Sequence, residues 1–106
     1  MYFAVTRERG PSWNTSLPMR EQKLFADHAA FMDRLAEERF IVFGGPVENN
    51  AQEEFSRALF LVKAESERDI ETRLEADPYT TMDMLRITMI EPWHILLGNE
   101  RLNSAG

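Results

Sequence analysis

The chain contains no cysteine, which excludes disulfides, thiolate nucleophiles and cysteine-ligated metals. Positive charge is also scarce: 12 Lys and Arg against 18 Asp and Glu leave a net charge of −6. With no basic run to oppose that field, a nucleic acid is not an expected partner. No apolar run approaches the roughly 18 residues of a membrane span, so no membrane partner is expected either. The first residues, Met1-Tyr2-Phe3-Ala4-Val5, lack the basic segment of a signal peptide. These absences point to a soluble protein of the cytoplasm. Histidine is rare as well, with two in the chain.

What is present is an ordinary globular composition, 43% hydrophobic and 28% charged over 106 residues, enough for one domain. Tyr2 to Thr6 reads as a first strand, and Arg7 to Leu17, with Gly10, Pro11, Ser12 and Asn14, as a loop. Ser16 is a plausible N-cap for a helix with Pro18 in its first turn, running to about Arg39. Phe40 to Phe43 is a second strand, stopped by Gly44-Gly45-Pro46, and Val47 to Phe55 a solvated connection. Ala58 to Val62 is a third strand. A capping box, Ser66-Glu67-Arg68-Asp69, opens a second helix that Pro78 ends. Leu85 to Glu91 is the fourth strand, Pro92 to Leu97 an extension, and Asn99 to Gly106 a polar, frayed tail beyond a domain of residues 1–98.

The order βαββαβ predicts an α+β, ferredoxin-like fold with an antiparallel sheet. Two helices can cover one face of four strands, yet three strands are apolar on both sides; Ile41 with Phe43 and Phe40 with Val42 should point to opposite faces. A second apolar face predicts a homodimer packed sheet to sheet.

His28 is the principal candidate for chemistry. It lies on a helical stripe with Leu24, Phe31, Met32 and Leu35, and histidine is the natural acid/base near neutral pH. A core histidine bonded to a backbone carbonyl would look the same. Asp77 is the natural partner: a carboxylate at the C-terminus of the second helix opposes the helix dipole, and an imidazolium nearby would offset that cost. Asp77 could equally serve only to stop the helix before Pro78.

Gly44-Gly45 suits a tight turn or exposed N–H groups facing a ligand, and matches no phosphate loop. Trp13 and Trp93 could line an apolar pocket, and Arg7 or Arg20 could clamp a substrate carboxylate. His94 reads as a surface residue. His28 has no metal-ligating residue at helical spacing, so neither a metal nor another cofactor is expected.

Six short pieces resemble the YciI-like (YCII-related) family across nearly the full length. They are Gly10-Pro11-x-Trp13, Arg20-Glu21-Gln22, His28-x-x-Phe31-Met32, Gly44-Gly45-Pro46, Ala76-Asp77-Pro78-Tyr79 and Ile90-Glu91-Pro92-Trp93. The resemblance implies a dimeric α+β barrel of ferredoxin-like protomers, with His28 and Asp77 as a site pair. Its relatives include an enzyme that removes chloride from a chlorinated hydroxyquinol, and more widely lactone isomerases and cofactor-independent monooxygenases. Two functions follow as expectations. One is an acid/base enzyme without cofactor acting on a small aromatic or lactone-like ligand, with Trp13, Phe31, Gly45 and Trp93 around it and Arg7 or Arg20 on its charge. The other is an accessory domain that binds the ligand without turning it over.

Overall fold

A computed structural model describes residues 1–47 and 57–102. Four strands, β1 (Tyr2–Arg9), β2 (Ile41–Val47), β3 (Arg57–Lys63) and β4 (Leu85–Pro92), form one antiparallel sheet in the order β2-β3-β1-β4. With α1 (Phe25–Glu37), α2 (Glu67–Glu75) and a short α3 (Pro78–Thr81), this is the expected α+β, ferredoxin-like arrangement. No helix among the described residues is long and apolar enough to cross a membrane.

The core lies between the sheet and the two longer helices. Phe3 and Val5 of β1, Val62 of β3 and Ile41 of β2 meet Leu35 of α1 and Ile70 and Leu74 of α2. Each such side chain, fully buried, stabilises the fold by about 1.5–3 kcal/mol. In β1 the inward positions are 3, 5 and 7, because side chains alternate along a strand. The third of them is Arg7, and the strand therefore runs past Thr6, where the sequence pattern ended it, to Arg9.

Helix α1 begins at Phe25, seven residues after Pro18, and Ser16 does not cap it. The buried amide of Gln22 explains the difference. Its oxygen accepts from the Asn14 N–H at 3.0 Å and its nitrogen donates to the carbonyls of Asn14 and Leu17 at 2.7 and 2.9 Å. That side chain ties the loop to a single turn of 3-10 helix, Met19–Glu21, and Leu24 then breaks the path with φ 65°. At the other end Arg39 adopts φ 64°, with Arg39 N–H donating to Ala36 and Phe40 N–H to Leu35, the paired bonds of a Schellman cap. Ser66 caps α2 as expected, accepting from the Asp69 N–H at 3.2 Å.

Gly44-Gly45-Pro46 does not stop β2 but lies within it. Since β2 is an edge strand, Pro46 can sit there without breaking an interior ladder. A bulge between Ile41 and Phe43 pairs Ile41 with Val62 and Phe43 with Leu61, so these two residues face opposite sides rather than sharing one. The side of the sheet away from the helices carries exposed Phe43, Leu59 and Trp93 around a buried Leu61. The connection expected from Val47 to Phe55 lies, beyond Val47, outside the described residues. Asn99–Leu102 forms a turn of 3-10 helix where a frayed tail was expected, and 103–106 are outside the described residues.

Candidate active site

Helix α2 ends at Glu75, and Asp77 follows its C-cap residue Ala76, where the sequence placed it, with the Asp77 N–H donating to the Leu74 carbonyl at 3.1 Å. It is at the same time the N-cap of α3, accepting from the Tyr79 N–H at 2.9 Å, with Pro78 at the first helical position. A carboxylate is favoured there rather than opposed. The side chain is wholly buried and receives two further donors. Arg7 Nη1 reaches Oδ2 at 2.7 Å, and His28 Nδ1 lies 3.0 Å from Oδ1 and 2.8 Å from Oδ2. Burial works against ionisation of Asp77, but the hydrogen bonds from His28 and Arg7, the charge of His28 and the Tyr79 N–H prevail. Together they hold its carboxyl below the ordinary value of 3.8.

Arg7 is likewise wholly buried. Its Nη2 donates to the Thr80 hydroxyl at 2.8 Å, which in turn donates to the Leu74 carbonyl at 2.7 Å. A buried cation held in this way is a partner for Asp77 and cannot reach a substrate carboxylate, which corrects the clamp expected of Arg7.

His28 stacks on Tyr79 with ring centres 3.9 Å apart and planes 5° from parallel. Trp13 meets the edge of the same tyrosine at 6.0 Å and 86°, and the Arg9 guanidinium lies 4.7 Å over Trp13. Each contact of this kind contributes about 0.5–1.5 kcal/mol. The imidazole is therefore fixed twice, at Nδ1 by Asp77 and in its plane by Tyr79. Burial, and then the charge of Asp77, push the Tyr79 hydroxyl up from its ordinary value of 10.0. Trp13 Nε1 and Tyr79 Oη are buried without a hydrogen-bond partner.

These rings border a cavity of about 250 Å³ between α1 and the β2–β3 edge. Trp13, Phe25, Met32 and Phe60 supply apolar walls, His28 contributes its side, and Gly44-Gly45-Pro46 lines the sheet edge. A side chain at Gly44 would collide with the Phe60 ring at 2.3 Å, whereas one at Gly45 would meet nothing within 4 Å. Gly44 thus lets β2 approach Phe60 closely, in place of the expected turn.

The other candidates divide by position. Trp13 and Gly45 line the cavity with His28. Phe31 packs against the hydrophobic core, Arg20 lies exposed over Phe25 at 5.9 Å, and Trp93 stands with Phe43 and Leu59 on the opposite side of the sheet. None of these three borders this cavity, because each belongs to a different surface of its element. The sequence reading overlooked Tyr79, Arg9 and Arg57 as cavity residues. Extending the period-2 pattern of β1 by three residues, from Thr6 to Arg9, would have marked Arg7 and Arg9 on the inner face. Nothing local to Arg57 marks it.

The YCII-related domain family matches residues 1–94, and the chain belongs to that family. No curated protein matches it. Among solved structures it is similar to 5-chloro-2-hydroxyhydroquinone dehydrochlorinase (TftG) from Burkholderia phenoliruptrix AC1100, in complex with 2,5-dihydroxybenzoquinone. The two are 26% identical with a TM-score of 0.66, over 89% of this chain and 94% of that one.

Proposed function

We propose that this YCII-related protein is a cofactor-independent enzyme in which His28, held by Asp77, moves a proton on a small aromatic or lactone-like substrate. The observation that carries the reading is the double contact of His28 Nδ1 with a buried carboxylate, at 2.8 and 3.0 Å, on a ring that borders a cavity. Asp77 accepts from Nδ1–H, which leaves the Nε2 lone pair on the far side of the ring. A substrate O–H or C–H at Nε2 gives up its proton there, and the electron pair stays on the substrate. The imidazolium so formed faces an ionised Asp77. The pair then either expels a leaving group or takes the proton back at another atom, which are elimination and isomerisation. The related dehydrochlorinase, whose name describes loss of HCl and whose bound molecule is a planar six-membered ring, supports this class of substrate.

The proposal is tested by nitrogen-15 NMR of His28. The folded protein should show one dominant tautomer with the proton on Nδ1, and Asp77→Asn should lose that preference. A tautomer mixture indifferent to Asp77→Asn would remove the dyad and leave a pocket that only binds.

We also propose that the protein is a homodimer through the uncovered sheet face, where Phe43 is 58% exposed beside Leu59 and Trp93. Large apolar side chains grouped this way favour association. Light scattering at micromolar concentration should give twice the chain mass of 12.3 kDa; the single mass would refute it.

A further inference from the structure

We propose that Arg7 is a positioning residue of the site: its buried guanidinium balances the charge of Asp77, so that the carboxylate orients His28 without locking it in the protonated form. The inference rests on the proton chemistry proposed above and deepens it by naming what keeps His28 available as a base. A histidine against a buried carboxylate is drawn towards imidazolium, because the opposite charge favours the charged ring. The face of Tyr79, stacked on His28 at 3.9 Å, favours a cation as well. An imidazolium has no lone pair at Nε2 and accepts no proton. A base in this place therefore needs a second cation, one that takes up the carboxylate charge and leaves the acceptor oxygen where it is.

Arg7 meets that description. Its Nη1 and the Nδ1 of His28 converge on the same oxygen, Oδ2 of Asp77, at 2.7 and 2.8 Å. The side chains of Arg7 and Asp77 are wholly buried, whereas His28 keeps 16% of its own exposed. Charges held out of water are screened little, so a proton added to His28 brings a second positive charge to an oxygen already paired. Arg7 never relieves that crowding by losing its own proton, since a guanidinium stays charged in proteins. It cannot swing away either, because Nη2 donates to the Thr80 hydroxyl at 2.8 Å, which is anchored on the Leu74 carbonyl. The other ionisable groups around His28 are Tyr79 of α3, Arg9 of β1 and Arg57 of β3, which border the cavity with it; β2 contributes glycine and proline there. These three are the same in every variant below and act on each titration alike.

Proton NMR titration of the full chain tests the idea, with the exposed His94 as internal reference. Arg7→Gln keeps a donor for Oδ2 and removes the charge, so His28 should take up its proton about one pH unit or more above the parent, with His94 unmoved. Thr80→Val removes the anchor of Arg7 but not its charge, and should leave the His28 midpoint close to that of the parent. A merely structural role for Arg7 would not separate these two variants. The double variant Arg7→Gln with Asp77→Asn leaves no ion pair in the core, and answers the question even where Arg7→Gln alone does not fold. Because the two charges offset each other at His28, removing both should keep its midpoint within about one pH unit of the parent. A midpoint in Arg7→Gln at or below that of the parent, or a larger fall in the double variant, would overturn the proposal. The Nδ1 tautomer reports on the contact of His28 with Asp77 and the midpoint on Arg7, so the two readings fail separately.

Discussion

Two depressions in the surface differ in kind. The one between α2 and β4 is the larger, about 510 Å³, and carries Glu67, Glu71, Glu75 and Asp83 with Arg86. The one beside His28 is about half that size and carries arginine without acid among the described residues. In the first the charges stand in water: Arg86 and Asp83 pair at 2.7 Å with side chains 59% and 43% exposed. Behind the second, where His28 meets Asp77, Arg7 and Asp77 pair at the same distance with no exposure at all. Volume is thus a poor guide to chemistry. What distinguishes the smaller site is charge taken out of water, where its partners decide both stability and protonation.

The sharpest way to break this contrast is to remove one cation from each. Arg7→Met leaves Asp77 buried with only His28 and the Tyr79 N–H as donors and should cost about 3–5 kcal/mol in urea unfolding. Arg86→Met should leave the urea midpoint close to that of the parent, because its pair is exposed. Similar midpoints for the two variants would erase the distinction.

A smaller effect should appear in acid. Asp77 and Asp83 both ionise below the ordinary 3.8. Asp77 does so against burial, through His28 and Arg7; Asp83 does so through the hydrogen bond and charge of Arg86. A carboxyl lowered in the folded state binds fewer protons there than in the unfolded chain. Its stabilisation is therefore present above the unfolded value and is lost as pH falls through the folded one. Unfolding free energy measured from about pH 5 down to pH 3 should decline less in Asp77→Asn than in the parent. Asp83→Asn should flatten the decline only at low salt, since exposed pairs are screened. A decline undiminished in Asp77→Asn would count against the buried network.

Much of the site was legible in the sequence because His28 and Asp77 each looked misplaced alone, and the two do meet. The reason assigned to Asp77 was incomplete. Asp-Pro was read as the end of one helix, and it also begins the next; the same two residues fit both descriptions. Arg7 was misjudged because a charged residue was taken to end the first strand; only the alternation of Phe3 and Val5 shows that position 7 faces inward. The start of α1 was hidden by Gln22, whose bonds run back to residues five to eight earlier in the chain and leave no helical signature. The bulge near Val42 is a product of strand pairing, invisible until β3 is placed.

Asp77 receives donors from β1, from α1 and from the start of α3, three elements fastened at one carboxylate. Under the proposed chemistry, a proton arriving at or leaving His28 would find its compensating dipoles already in place, with little reorganisation accompanying the transfer. Such a centre is preorganised but also inflexible: it cannot adapt to different molecules. If the site acts as proposed, discrimination would fall to the edge of the cavity, which could change what is accepted without disturbing the fastening at Asp77.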